Sequence, residues 1–332
     1  MMAALTSTSG APSKAAFDAC LADLRNPAPG CLAVVLDVHG HGWAKAGTWV
    51  HVDANGRRCG WISAGCLDGE LLAAAMTSLA DGCARLLELD NRDLSDVFTG
   101  SGVGCRGRQW LLLLSLAMLP GLQPVLDRYR QQGAALHLRF ARSGQMSLWA
   151  GDLQAAWRLT MANDGLAPGT DAQDAWELAW APLPRAMVFG CGPESETLLP
   201  LLDQLGWRLD VVEPRPGWSA LAARAERHLL ALPPDEDSLH YDAALIMGHH
   251  FEQDRAALAL LAARPVLPRY VGLLGATTRR RDLLATLPDG VRERLDAHLE
   301  SPAGMPLGGS GAAAIALSLA ARLQALFAAS PA

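Results

Sequence analysis

Three short stretches of this chain combine small residues with groups that bind anions, metals or protons. Gly190-Cys191-Gly192-Pro193-Glu194-Ser195 has the spacing of a G-x-G-x-x-G turn, with Ser195 in the last place. In such a turn the first glycine allows the tight bend and the second lets a phosphate approach the backbone. The following helix N-terminus favours the anion. Pro193 fits a first helical turn, where its missing N–H costs nothing. Glu213 stands at the spacing of an acid that accepts from a ribose hydroxyl. The same residues are also compatible with a tight turn kept for packing alone.

The other two stretches pair glycine with cysteine. Ser63-Ala64-Gly65-Cys66-Leu67-Asp68-Gly69-Glu70 stands between an expected strand and an expected helix, and Gly102-Val103-Gly104-Cys105-Arg106-Gly107 precedes another strand. Loops of small residues expose backbone N–H groups, and a thiol at a helix N-terminus suits a nucleophile or a soft-metal ligand. Arg106 adds positive charge. Against this stands the ordinary fate of a cysteine, which is to be a small buried residue. His249 and His250 follow an expected strand and suit a proton relay, a ligand or a helix cap. Arg279–Arg281 is a basic run whose members point to different faces of a helix, so most of it reads as a solvated surface.

Elements must exist to hold these residues. The chain has 332 residues, half of them hydrophobic and 19% charged, which is enough for a packed core in about two domains. A net charge of −6 excludes a broadly basic surface for nucleic acid. The seven cysteines form no CxxC pair, which argues against a disulfide framework or a structural zinc cluster. Residues 1–30 hold no continuous apolar stretch of the kind a signal peptide needs, and the Ala/Leu-rich tail is broken by Arg322. A soluble, cytoplasmic protein without a membrane partner is the expectation.

Apolar runs predict strands at 31–38, 48–53, 84–89 and 109–116, with helices over 68–79 and 122–130. An Asn55-Gly56 turn marks a hairpin whose partner strand is 58–63. From Pro184 strands alternate with helices, including a helix over 218–227, and this argues for a parallel sheet covered on both faces. The expected fold is α/β: an N-terminal mixed α/β domain over 1–165, a linker over 166–183, and a Rossmann-like parallel-sheet domain over 184–332. Trp43, Trp49 and Trp61 are assigned to the core of the first domain.

Together these stretches resemble the xanthine dehydrogenase accessory factors of the XdhC/CoxI type, over most of the chain. Gly40 and Gly47 match glycines of a "GSxPRxxG" stretch, and Arg58–Glu70 is similar to "GSIGGGCVEG", with Cys66 on its cysteine and Asp68 on its acid. Gly102–Cys105 resembles the second glycine–cysteine loop. Phe189–Gly192 is similar to "FGAGHV", Asp210–Pro216 to "VTVVDPRP", Tyr270–Gly275 to "YIGLLGS" and Pro302–Ala316 to "PIGLDIGARTPEEIA". The chain departs from these patterns at Trp43-Ala44 in place of Pro-Arg and at Ala276-Thr277-Thr278 in place of Ser-Arg-Arg. It departs again at Pro306 and Ala313-Ala314, where acids are expected.

The resemblance implies a chaperone that binds the molybdenum cofactor, a molybdopterin, and delivers it to a molybdenum hydroxylase apoenzyme. It further implies a homodimer and contact with a cysteine desulfurase. The cofactor residues it implies are Gly65, Cys66, Asp68, Gly104, Cys105, Arg106, Gly190, Gly192, Ser195, Glu213, His249 and Gly275, with Cys66 and Cys105 near the molybdenum or its sulfur. Two alternatives stay open. One is an NAD(P)-dependent oxidoreductase built on the Gly190 turn, for which no Tyr/Lys or His/Asp arrangement of the usual kind appears. The other is a ligand-free docking protein that uses its tryptophans.

Overall fold

The computed structural model describes residues 6–7, 12–40, 43–90, 107–163, 174–231, 239–248 and 250–327. They divide into two compact units, the first ending at Pro182 and the second beginning at Leu183.

The first unit holds β1 (Thr6–Ser7), α1 (Lys14–Asp23), β2 (Cys31–Gly40), β3 (Trp49–Val52), β4 (Arg58–Cys59), α2 (Asp68–Asp81), β5 (Arg85–Asp90) and β6 (Gly107–Ser115). It continues with α3 (Leu122–Gln132), β7 (Leu136–Ala141), β8 (Gln145–Ala150), β9 (Leu153–Arg158) and β10 (Ala175–Trp180). These make two five-stranded sheets, β4-β3-β2-β6-β5 and β1-β10-β7-β8-β9. All pairings are antiparallel except β1 with β10.

The run Trp110–Leu114 is apolar without alternation because β6 is buried along its whole length. On one face of this sheet Ala33, Val35, Leu111 and Leu113 pack against Leu71 and Ala75 of α2. Elsewhere in the unit the Phe17 ring lies 5.9 Å from Trp49 and 5.5 Å from Tyr129, and Trp49 lies 5.6 Å from Trp180. Trp180 Nε1 donates to the Gly47 carbonyl at 2.8 Å, which ties β10 to the loop before β3.

Several local expectations are revised. The strand expected over 58–63 is only Arg58–Cys59, because Gly60 takes a φ of +97 and a Cβ there would lie 2.6 Å from the Trp49 carbonyl oxygen. The expected linker 166–183 contains β10, which pairs with β7 over its full length. Its alternating burial carries Trp176, Leu178 and Trp180 into the core, a period-2 signal in a stretch read for its turn residues. Of the three tryptophans assigned to the core, Trp49 is buried, whereas Trp43 and Trp61 are exposed.

The second unit is a six-stranded, all-parallel sheet in the order β13-β12-β11-β14-β15-β16. Its strands are β11 (Arg185–Phe189), β12 (Arg208–Val212), β13 (Arg227–Leu229), β14 (Ala243–Ile246), β15 (Tyr270–Leu273) and β16 (Leu299–Glu300). Its helices are α4 (Ser195–Gln204), α5 (Ser219–Ala222), α6 (Phe251–Ala263), α7 (Thr277–Ala285), α8 (Asp289–Asp296) and α9 (Ala312–Phe327). Ala186, Val188, Leu209 and Leu245 face α4 and α9, while Met187, Phe189, Ala244 and Ile246 face α6, α7 and α8. The helix expected over 218–227 is cut to the short α5, because residues 227–229 extend as the edge strand β13 and pair with β12.

No helix among the described residues is long and apolar enough to cross a membrane.

Asp23 is the polar anchor of the first unit. It accepts from Gly30 N (2.5 Å), from Asn26 Nδ2 (2.6 Å) and from the buried His51 Nε2 (2.7 Å). Burial pushes its carboxyl upward, but these donors outweigh burial and hold it below the usual carboxylate range. A lowered native pKa contributes stability that is complete above the unfolded value of about 3.9 and fades as the pH falls toward the native one. Asp23→Asn is expected to cost about 1–3 kcal/mol at neutral pH. It should also remove part of the stability that the parent protein loses between about pH 5 and 3, as read by urea melts at each pH.

Candidate functional site

In an open parallel sheet the ligand crevice lies at the carboxyl ends of the strands, where the strand order reverses. Here the reversal falls between β11 and β14. Gly190 ends β11 with a φ of +83, and a Cβ on it would lie 3.1 Å from the backbone of Gly248, just past β14. The two backbones approach closely because Gly190 carries no side chain, while the bare Gly248 makes room for the Asp254 carboxylate.

The turn after Gly190 is held from within. Gly190 N donates to Val212 O (2.9 Å), Cys191 N to Glu213 Oε2 (2.7 Å) and Gly192 N to Ser195 Oγ (3.1 Å). Glu213 is wholly buried and accepts four hydrogen bonds. Besides Cys191 N, its donors are Arg215 N (2.8 Å), Arg215 Nε (2.8 Å) and Arg215 Nη2 (2.6 Å). Arg215 Nη2 also reaches the Cys191 carbonyl at 2.6 Å. Burial raises the Glu213 pKa, but the Arg215 guanidinium and the two backbone donors outweigh it and hold the carboxyl below its usual value. The spacing assigned Glu213 to a ribose hydroxyl. The structure spends its lone pairs on the turn itself.

A second arginine–carboxylate pair stands across the switch point. Arg279 Nη2 donates to the buried Asp254 at 2.6 Å, and its side chain runs across Gly275, where a Cβ would lie 2.8 Å from Arg279 Cδ. Of the basic run, Arg280 pairs with Asp296 and Arg281 with Asp282. His250 begins α6 through its carbonyl, which accepts from Asp254 N at 3.0 Å, and its side chain makes no cap. His249 lies outside the described residues.

Beside the glycine turn opens a crevice of about 230 Å³, walled by Phe189, Val212, Pro214, Leu230, Ala257 and Leu260. A wider groove of about 480 Å³ runs past Gly275, Pro302, Met305, Leu307, Gly309 and Ile315.

In the first unit Cys66 is exposed, at the turn that opens α2. Ser63 Oγ accepts from Gly65 N (3.1 Å) and Leu67 N (3.2 Å), and Gly65 takes a φ of +123. Asp68 forms an ion pair with Arg58, whose guanidinium lies 4.1 Å above the exposed Trp61 ring. The sequence reading missed this Arg58–Trp61 platform beside Cys66. The signal was available, since 58–63 leads directly into the cysteine turn. Gly104, Cys105 and Arg106 lie outside the described residues. Among the described residues no group of three or more His, Cys, Asp or Glu stands together as a metal site.

Cys59 and Cys83 are half-buried, and three further cysteines differ sharply from Cys66. Cys20, Cys31 and Cys191 are buried. Burial raises Cys20 and Cys31 to about 12. Burial, then the Glu213 carboxylate, raises Cys191 to about 11, so all three remain thiols at neutral pH.

Comparison with known proteins agrees with this architecture. Residues 186–323 match the XdhC Rossmann domain, and residues 24–90 match the XdhC and CoxI family. The chain belongs to the XdhC and CoxI family and carries its Rossmann domain. It is 25% identical over 315 residues to a Bacillus subtilis protein described as a probable component of xanthine dehydrogenase, covering 88% of this chain and 91% of the relative. It shares its fold with the crystal structure of a protein from Bacillus halodurans described as a xanthine dehydrogenase. The TM-score is 0.71 at 23% identity, over 96% of this chain and 98% of that one.

Two outcomes are expected. Glu213→Ala leaves Arg215 and the Cys191 N–H without their acceptor and should cost about 3–5 kcal/mol, read from denaturant midpoints. Iodoacetamide at neutral pH should alkylate Cys66 in the native protein and spare Cys20, Cys31 and Cys191 until the protein unfolds, as mapped by peptide mass spectrometry.

Proposed function

We propose that this protein is an accessory factor that binds the molybdenum cofactor as cargo and delivers it to a xanthine dehydrogenase-type molybdenum hydroxylase. Its family membership and its relative in Bacillus subtilis support the link to xanthine dehydrogenase. The observation that carries the binding role is the Cys66 turn. It presents an exposed thiol on a helix-opening loop, with the exposed Trp61 ring and the Arg58–Asp68 pair beside it.

The donor set fits the cargo. A thiol is a soft ligand suited to molybdenum or to its sulfur, and an indole face suits stacking with a pterin ring. On this reading Cys66 and Cys105 hold the metal end. Gly65 allows the close approach, and Asp68 keeps Arg58 and its indole in place. The client is the apoenzyme, with a cysteine desulfurase as a second partner and a homodimer as the working form. The Gly190 turn supports an NAD(P) oxidoreductase poorly, because the N–H groups of Gly190, Cys191 and Gly192 and the Glu213 carboxylate are already engaged. The exposure of Trp43 and Trp61 favours one second reading, a docking protein that carries no cofactor.

The test is cofactor content. The protein purified without oxygen should yield the fluorescent pterin derivative after iodine oxidation, together with molybdenum. Cys66→Ala should lower retention by roughly tenfold, the effect of about 1.4 kcal/mol, and Cys66→Ala with Cys105→Ala should abolish it. Failure to take up cofactor even after incubation with the free form, combined with recovery of the hydroxylase in a pull-down, would select the docking reading.

A further inference from the structure

An open parallel sheet usually holds a nucleotide with two devices. Free N–H groups in the glycine turn take the 5′ phosphates, and an acid after the second strand takes the ribose hydroxyls. Both are spent here. The N–H groups of Gly190, Cys191 and Gly192 are donated within the unit, and the wholly buried Glu213 already accepts four hydrogen bonds. Two polar side chains that line the adjoining crevice keep unused capacity. Arg215 gives Nε and Nη2 to Glu213 and Nη2 also to the Cys191 carbonyl, while its Nη1 makes no hydrogen bond among the described residues. This side chain is 36% exposed. Gln253 stands exposed in the first turn of α6, and its carboxamide makes no hydrogen bond among the described residues. Arg215 follows β12 and Gln253 follows β14, the two strands that flank β11, so the two groups come from opposite sides of the crevice. The other lining carboxylate, Asp254, is held by Arg279 Nη2 at 2.6 Å.

We propose that this crevice binds an adenine nucleoside that carries its phosphate on the ribose 2′ oxygen, with Arg215 Nη1 donating to the phosphate and the Gln253 carboxamide on the adenine edge. The space of about 230 Å³ between Val212, Pro214, Leu230, Ala257 and Leu260 suits a flat bicyclic ring. A carboxamide carries one donor and one acceptor side by side, which matches adenine N7 and its exocyclic amine. Residues just past the second strand meet the hydroxyl edge of the ribose. With Glu213 saturated, that edge offers no acceptor for a bare 2′ hydroxyl. It offers the Nη1 donors of a guanidinium, which suit an anion there. A phosphate on the 5′ oxygen would instead point to the glycine turn, whose N–H groups are taken. The charge of Arg215 is already balanced by Glu213, so the gain is that of a charge-assisted hydrogen bond and not of a free cation. This inference stands apart from the cofactor-delivery reading, which rests on the Cys66 turn, and it requires binding alone, with no redox step.

The test is calorimetric titration of the full chain with 2′-AMP, 5′-AMP and adenosine. The parent protein is expected to bind 2′-AMP about tenfold more tightly than either of the others. Arg215→Lys keeps a positive charge beside Glu213 and removes the outward N–H pair. It is expected to lose the preference, so that 2′-AMP and adenosine bind it equally. Leu260→Glu, at an exposed wall position, is expected to weaken all three ligands by about tenfold. Should Arg215→Lys melt below the parent protein, the three titrations of the parent decide without it. There, 5′-AMP binding as tightly as 2′-AMP overturns the proposal, and so does the absence of 2′-AMP binding at millimolar concentration. A folded Arg215→Lys protein that still prefers 2′-AMP overturns the role of Arg215. Unchanged affinities in Leu260→Glu overturn the assignment of the ligand to this crevice.

Discussion

A carboxylate shut away from water remains charged only when donors surround it, and Glu213 is surrounded. It sits just past β12, at the carboxyl edge of the parallel sheet, and takes four hydrogen bonds from Cys191 and Arg215. Through Cys191 it fixes the turn after β11, and through Arg215 it reaches back to the Cys191 carbonyl. The close approach of Gly190 to Gly248 then aligns β11 with β14 at the switch point. Asp254 and Arg279 repeat the device on the far side, with Arg279 lying across Gly275. The crevice between these pairs is therefore bounded by charges that are already neutralised by one another, with mainly apolar walls.

The first unit is held differently. Its sheets are joined by aromatic packing of Phe17, Trp49 and Trp180 and by the indole hydrogen bond from Trp180 to Gly47. Asp23 closes the loop between α1 and β2 against His51 of β3. This arrangement leaves the cysteine turn at the surface, opening α2 without being part of the core.

The contrast among the cysteines bears on function. Cys20, Cys31 and Cys191 are buried and stay protonated, whereas Cys66 faces solvent beside a cation–indole pair. A carrier of a soft metal centre requires a reachable thiol, and the first unit presents one on a turn already organised by Ser63. The second unit contributes a Rossmann domain whose glycine turn has turned inward. Family membership is thus compatible with a divergent use of a fold that elsewhere cradles nucleotides.

Much of this was legible in residue order. Strand and helix alternation after Pro184 specified the parallel sheet, because a parallel pair needs a crossover and the periodicity changes with it. The apolar runs at 31–38 and 109–116 specified buried strands, and the glycine–cysteine motifs, taken in order, identified the family. Partnership was not legible. The strand Ala175–Trp180 was masked by turn-forming neighbours, although its own residues alternate, with Trp176, Leu178 and Trp180 turned to the core. The spacing that nominates Glu213 for a ribose is the same spacing that places it under Cys191. Whether a carboxylate faces a ligand or the chain's own N–H groups depends on contacts between residues far apart in sequence, such as Glu213 with Cys191 and Arg279 with Asp254. Local sequence sets which groups are present; the packed chain decides which of them are already spent.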